Sequence, residues 1–324
     1  MIRELFSAGL FLALTATVAV AQSDEDYSAR VSGNYVPGSV LGGGPIAPDN
    51  LFAGTALNGP GTNNNAYLID PVTSAATALL DLVPIWGATF DPAGNRILYT
   101  TEAGASGTVD GAPLFEIPID TGTPALLGVI RDDTGAEFRI DGLAMSGGVL
   151  YGSRAAADRD GIYSIDMTTF TATLLIPSTD SISGIDADPA TGTIYGVDDT
   201  IGSLVQIDIG AGTITPVVAY PDAAETDIDG LAVGNNRAYL IPDDNAPGLI
   251  YVYNLQTASF ETPLTAPWGV TEDTFAGGAY ISGAPEQPLG PVAELPVFGT
   301  KIAALLALLL GTLAIVVLRR RATR

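Results

Sequence analysis

Asp141-Gly-Leu-Ala-Met, Val149-Leu-Tyr-Gly, Gly161-Ile-Tyr-Ser-Ile-Asp and Thr171-Ala-Thr-Leu-Leu are four short apolar runs in succession, set apart by turn residues. The series returns as Ser183-Gly-Ile-Asp-Ala, Thr193-Ile-Tyr-Gly, Leu204-Val-Gln-Ile-Asp and Thr213-Ile-Thr-Pro-Val. It returns again as Asp229-Gly-Leu-Ala-Val, Arg237-Ala-Tyr-Leu, Leu249-Ile-Tyr-Val-Tyr and Ser259-Phe-Glu-Thr. A longer copy opens at Trp86-Gly-Ala-Thr-Phe and passes through Ile97-Leu-Tyr and Leu114-Phe-Glu-Ile. With a partial copy from Trp268, the units start at 86, 141, 183, 229 and 268, spaced 55, 42, 46 and 39 residues.

The runs are rich in β-branched and aromatic residues and too short for helices. Tyr99, Tyr151, Tyr195 and Tyr239 mark the second run of each unit, and Asp91-Pro-Ala-Gly-Asn and Asp188-Pro-Ala-Thr-Gly supply the turn before it. Asp, Pro and Gly favour tight turns through side-chain capping, a fixed φ and tolerance of positive φ. Four strands per unit at this period indicate an all-β β-propeller; a β-solenoid is the alternative, but its rungs are shorter. The unit begun at Trp268 breaks off after Ala279-Tyr-Ile, and Asn65-Ala-Tyr-Leu-Ile-Asp and Ala75–Leu82 supply a third and a fourth strand for it from the other end of the chain. Joining the two ends closes the ring and removes open sheet edges, which gives five four-stranded blades. Leu51-Phe-Ala-Gly and Gly278-Ala-Tyr-Ile both fit the second strand of that blade, which leaves a sixth, degenerate blade as an alternative.

The phrases Tyr195-Gly-Val-Asp and Ile207-Asp-Ile-Gly-Ala-Gly resemble those of bacterial secreted propellers with YVTN-, NHL- or lactonase-like repeats, over about residues 51–281. The resemblance implies a fold and no catalytic residues.

Aligning the units places Trp86, Asp141, Ser183, Asp229 and Trp268 at one equivalent position, each followed by glycine. That alignment predicts a central funnel with an aromatic side and two carboxylates across it, a candidate ligand site. The competing reading is structural: Asp-Gly before a strand is ordinary turn chemistry, and the tryptophans fill the channel. Loops on the same face carry Asp110, Asp158 and Asp160, Asp198 and Asp199, and Asp243 and Asp244. These oxygens suit Ca²⁺; a solvated acidic rim is the competing reading. Glu225-Thr-Asp227-Ile-Asp229-Gly230 imitates the start of an EF-hand loop, but Asn236 stands where the bidentate Glu is needed, and the repeat register explains it instead. Arg131, Asp132, Asp133 and Arg139 form an insertion between units, read as a salt-bridged exposed loop or as a border of the pocket.

The chain has 324 residues, with 13 Lys and Arg against 36 Asp and Glu, no His and no Cys. Missing His and Cys exclude the Ser-His-Asp triad, thiolate chemistry, zinc-thiolate sites and disulfides. A net charge of −23 excludes nucleic acid as a partner. The only lysine is Lys301, and four of the arginines close the chain.

Both ends read as addresses. Met1-Ile2-Arg3, an apolar run from Leu5 to Val20 and Ala19-Val20-Ala21 have the layout of a secretory signal peptide cut after Ala21, with an uncleaved anchor as the alternative. At the other end Leu295-Pro296-Val297 precede the uncharged stretch Ile302–Leu318 and then Arg319-Arg320-Arg321. This is a short membrane helix with its basic flank inside. The layout resembles the PEP-CTERM and IPTL-CTERM sorting signals of Gram-negative bacteria. Glu294-Leu295-Pro296-Val297-Phe298-Gly299 also resembles the LPxTG motif, with Phe298 at the threonine position. The resemblance implies a sorting peptidase as a partner. Boundaries are then 1–21 for the signal, 22–50 for a linker or strap, 51–282 for the propeller, 283–300 for a Pro/Gly linker with the sorting motif, and 301–324 for the membrane helix and tail.

The sequence thus describes an acidic propeller exported from a bacterial cell and anchored at its surface. The leading expectation is a module that binds a ligand, carbohydrate or protein, with enzyme activity left open. The alternatives are a propeller hydrolase of lactonase, phytase or glycosidase type, using Ca²⁺ or paired carboxylates, and a purely structural spacer. In the Ca²⁺ case Asp141 and Asp229 would hold the ion.

Overall fold

In the computed structural model the four complete units fold as antiparallel sheets of four strands joined in sequence. Before them come β1 (Ser39–Val40), β2 (Asn50–Leu57), β3 (Ala66–Ile69) and β4 (Ala76–Asp81). Blade 1 is β5 (Ile85–Asp91), β6 (Arg96–Thr101), β7 (Pro113–Pro118) and β8 (Ala125–Val129). Blade 2 is β9 (Gly142–Ser146), β10 (Val149–Arg154), β11 (Gly161–Ile165) and β12 (Ala172–Pro177). Blade 3 is β13 (Ile182–Ala187), β14 (Ile194–Asp198), β15 (Ser203–Asp208) and β16 (Thr213–Ala219). Blade 4 is β17 (Gly230–Gly234), β18 (Arg237–Ile241), β19 (Leu249–Asn254) and β20 (Ser259–Phe260), with β21 (Leu264–Thr265) on β19. The last strand is β22 (Asp273–Ile281). The structure describes residues 39–41, 44–57, 66–81, 85–101, 109, 111–155, 159–222, 227–242, 248–268 and 273–283.

Blade 5 settles the ambiguity at the ring closure. β22 is its innermost strand, followed outward by β2, β3 and β4, and the short β1 adds a fifth strand at the rim. Leu51 pairs with Tyr280 and Ala53 with Gly278, so both of the competing second strands belong to one sheet, side by side. The innermost strands β5, β9, β13, β17 and β22 run round the axis in that order. Five blades close the ring.

A radial gradient explains the composition of each unit. β5 and β13 are buried along their whole lengths, because an innermost strand is covered on both faces by neighbouring blades. The outermost β8 and β16 are largely exposed and carry Thr, Gly and Pro. The repeated tyrosine of the second strand lies between blades: Tyr99 is fully buried and stacks on Phe115 at 5.4 Å, and Tyr239 stacks on Tyr280 at 5.8 Å. Each such ring removes well over 100 Å² from water and is worth about 2 kcal/mol or more. The Asp-Pro turns behave as read: Asp188 caps its turn through Ala190 N–H at 3.0 Å, and Asp91 through Gly94 N–H at 3.0 Å.

Two features hold the axis. Gly87, Gly142, Gly184, Gly230 and Gly277 take one place in each innermost strand and line a space too narrow for a water molecule. A Cβ on Gly142 would stand 2.4 Å from the Ser183 carbonyl oxygen of the next blade, so the glycines set how closely the strands converge. Beside this ring lies Asp186, a fully buried carboxyl that no sequence pattern singled out. Thr89 Oγ1 donates to its Oδ1 at 2.8 Å, and Val233 N–H donates to Oδ2 at 2.7 Å. The Thr89 hydroxyl in turn accepts Met145 N–H at 3.0 Å, and the Tyr280 backbone also donates to Asp186. These residues belong to β5, β9, β13, β17 and β22, so all five blades meet at one Thr–Asp pair. Burial drives the Asp186 pKa up to about 8, against the hydrogen bonds that lower it, and the group is mostly protonated at neutral pH.

The chain divides into two units, Met1–Ser282 and Gly283–Arg324. Of the second only Gly283 is described, so the sorting motif Leu295-Pro296-Val297, the stretch Ile302–Leu318 and Arg319–Arg321 lie outside the described residues, as does the signal segment.

Candidate functional site

Four of the five residues aligned as a ring do occupy it: Trp86, Asp141, Ser183 and Asp229 each precede the axial glycine of their strand. Trp268 does not. The glycine of blade 5 is Gly277, which puts Ala276 at the equivalent position. Trp268 instead follows β21, is 7% exposed and lies against Tyr67 with ring centroids 6.2 Å apart. Two Gly-containing phrases in one unit misled the alignment, because the true innermost strand starts at Asp273.

The remaining four residues split into two environments. On one side Arg139 ties itself to Asp141, and its guanidinium lies 4.1 Å from the centre of the Trp86 ring. Asp141 Oδ2 also accepts Ala155 N–H at 2.7 Å, so this fully buried carboxylate is held by a cation and a backbone donor. It is not available as a free metal ligand, contrary to the expected pairing with Asp229. The insertion before it carries further ion pairs: Arg159 meets Asp132 at 2.7 Å, and Arg131 meets Glu137 at 3.8 Å. Arg154 and Arg159 lie over the Phe138 ring at 4.6 and 4.7 Å. Hydrogen bonds from Thr134 and Arg159 hold the Asp132 carboxyl well below its usual pKa. Of this segment, Arg139 reaches the ring.

On the other side the carboxylates of Asp199, Asp227 and Asp229 come together, one oxygen of each lying within 4.8 Å of the others. Asp199 Oδ1 accepts the Tyr220 hydroxyl at 2.9 Å and Ile228 N–H at 3.1 Å, and Ser183 Oγ lies 3.2 Å from its Oδ2. Burial pushes the Asp199 pKa up to about 7 despite these donors, with Asp227 adding repulsion. Asp229, only 6% exposed, is also raised, by burial and then by the charges of Asp227 and Asp199; Asp141 also contributes. Burial and the Asp199 charge likewise raise Tyr220, which keeps it a phenol and a donor.

Among the described residues, Asp199 is the one rim carboxylate expected to bind a metal that joins this cluster. Asp198, one residue earlier, caps its own turn through Thr200 N–H at 3.0 Å. Asp160 is half-buried in the approach to β11, and Ser178 N–H bonds its carbonyl at 3.1 Å. Asp110, Asp158, Asp243 and Asp244 lie outside the described residues. Asp227 was passed over as a ligand because the EF-hand resemblance failed. The useful signal was simpler: Asp227-x-Asp229 ends at an innermost strand, and Asp199 ends the second strand of the neighbouring blade. Oxygens bound to one Ca²⁺ at about 2.4 Å are at most about 4.8 Å apart, so the cluster fits a hard cation.

No family model matches this sequence, nor does any curated protein. Among solved structures, a chain of a nidogen/laminin complex is similar with a TM-score of 0.47 and 11% identity, over 72% of this chain and 99% of that one. TolB from Acinetobacter baumannii gives a TM-score of 0.44 at 12% identity, over 74% and 68%. Apo AztD from Citrobacter koseri gives 0.33 at 16%, over 73% and 62%. Similarity at this level concerns fold alone; the five antiparallel sheets, each built on four strands, carry the conclusion that this chain is a β-propeller repeat protein.

Proposed function

We propose that the protein is an exported, surface-anchored binding module whose ligand-binding face is the acidic mouth of the propeller. The observation that carries this reading is the convergence of Asp199, Asp227 and Asp229 beside Ser183 at the end of the innermost strands. A rigid ring of blades places these groups without reorganisation, as a binding site requires. The favoured occupant is Ca²⁺, or a ligand that presents a cation there. Asp199 and Asp229 hold protons at neutral pH more strongly than ordinary carboxylates, so a cation displaces protons and binds more tightly as pH rises. Arg139, partly exposed over the buried Trp86 ring, adds a cationic group to this face for a carbohydrate or protein.

Calcium titration followed by thermal melting tests the reading. Millimolar Ca²⁺ raises the melting temperature, chelation reverses the rise, and Asp229→Asn abolishes it; an unchanged melt in the wild type refutes the cation. The same cluster supports the second reading, a Ca²⁺-dependent hydrolase, for which turnover of phytate, a lactone or a nitrophenyl glycoside must require both Ca²⁺ and Asp229. Export and anchoring rest on the sequence of the two ends. Mass spectrometry of the surface protein then finds an N-terminus at Gln22 and a chain cut near Pro296; an intact 302–324 segment indicates a plain membrane anchor.

A further inference from the structure

The chain enters and leaves blade 5 on the face opposite the mouth. Innermost strands start at the mouth, so β22 ends, with Ile281, at the far face. β2 starts beside it: Asn50 pairs with Ile281, and eight pairs run up the seam to Leu57 and Asp273. The last residues of β22 are bolted into both flanks. Ala279 and Ile281 are buried in one core with Ile85 and Tyr99 of blade 1. Tyr280 points the other way, into a core with blade 4. Its ring stacks on Tyr239 at 5.8 Å and lies so close over Gly234 that any side chain there would collide with it. Residues 46–49 lock the exit. Asp49 N–H donates to the Ile281 carbonyl at 2.7 Å, and the Tyr280 hydroxyl donates to Asp49 Oδ1 at 3.3 Å. The buried Ile46 ties the same segment to blade 1, its N–H donating to the Ile119 carbonyl at 2.7 Å.

We propose that β22 is a load-bearing strand, which carries tension between a ligand held at the mouth and an anchor on the C-terminal tail. The proposal rests on the anchored binding-module reading for its purpose, and on the seam for its mechanics. A pull on the tail acts on β22 along its own axis, away from the mouth. The hydrogen bonds between β22 and β2 lie across that axis, as in any antiparallel pair. They are therefore loaded side by side, in shear, and no pair yields before its neighbours. Tyr280 and Ile281 must leave their buried sites in the same step. A sideways pull at the far face acts differently, opening the pairs one at a time from Asn50 and Ile281. Resistance to force is set by the rate of unfolding, and a seam that must break all at once keeps that rate low.

Single-molecule force spectroscopy on the full chain tests it. One handle is attached at Arg324 and the other at a single introduced cysteine, which is unique because the sequence has none. Ile201→Cys puts the second handle at the mouth, on the exposed turn between β14 and β15, and loads β22 in shear. Val72→Cys puts it on the exposed turn between β3 and β4, at the same face as Ile281, and peels β22 sideways from β2. The mouth handle gives a several-fold higher rupture force than the Val72 handle. Tyr280→Leu keeps an apolar side chain but loses the ring stack and the bond to Asp49, and it lowers the force measured from the mouth. Equal forces in the two geometries overturn the proposal, as does a mouth-handle force that Tyr280→Leu leaves unchanged. The experiment uses neither ligand nor membrane, so its failure is distinct from failure of the anchored reading, which mass spectrometry of the tail decides.

Discussion

Replacing Asp186 by Asn isolates the one titrating group on which all five blades converge. In the unfolded chain this carboxyl ionises near 3.8, whereas in the fold burial holds the proton up to about pH 8. Between those values the folded state binds one more proton than the unfolded, so stability is greatest below pH 4 and falls by about 1.4 kcal/mol per pH unit as pH rises. From about pH 4.5 to about pH 7.5 the loss from this group is about 4 kcal/mol. Asn carries no such proton, and its variant lacks the slope. The amide has its own cost. It must donate to a Thr89 hydroxyl that already accepts Met145 N–H, and the hydroxyl proton loses its acceptor, at about 1 kcal/mol. Asp186→Asn is therefore about as stable as the wild type at pH 4.5, where the wild type has already lost about 1 kcal/mol, and more stable at pH 7.5 by about 4 kcal/mol. Urea denaturation followed by fluorescence of the buried Trp86 and Trp268 gives both values. The raised carboxyls of Asp199 and Asp229 tilt both curves alike and cancel in the difference. A difference that does not grow between pH 4.5 and pH 7.5 refutes the assignment of a buried, protonated carboxyl at the axis.

Other perturbations probe the ring and its mouth. Gly142→Ala, whose Cβ meets backbone of the next blade at 2.4 and 2.6 Å, costs about 2 kcal/mol or more in chemical denaturation, while Gly210→Ala, which meets only Asp208 Oδ1 at 3.4 Å, is close to neutral. Arg139→Ala leaves the buried Asp141 without its cation and costs about 3 kcal/mol, with a change in Trp86 fluorescence as the guanidinium leaves the ring. Asp199→Asn removes a group whose raised pKa subtracts stability as pH climbs through 7, so its melting temperature gains on the wild type between pH 6 and pH 8 in a scan without added calcium.

The repeat period, the strands and the shared closing blade were legible because each rests on local pattern: a tyrosine in every second strand, an Asp-Pro turn before it, glycine at the head of each innermost strand. The closure was ambiguous because β2 and β22 are adjacent and alike in sequence, small residues with one aromatic in β2 and two in β22. Trp268 was misplaced for the same reason, since Trp-Gly occurs once as an innermost strand at Trp86 and once in a loop. The candidate site was half legible. Register alone placed Asp141 and Asp229 near the axis, but it is silent on partners, and Arg139 from the insertion neutralises the first while Asp227 and Asp199 crowd the second. Asp186 was invisible because its partners Thr89 and Val233 stand 97 and 47 residues away and belong to other blades.

The seam between β22 and β2 also sets a clock. Tyr280 bonds Asp49 across 231 positions, so the ring cannot shut until almost the whole body has emerged. Until then β2 waits with its inner edge unpaired and four blades stand as an open arc, a state that binds other chains through its free strand edges. Contacts of such long separation also slow the final step. A chain made N-terminus first is thereby kept from locking early, and the acidic body, which repels its own copies, protects the arc while it waits.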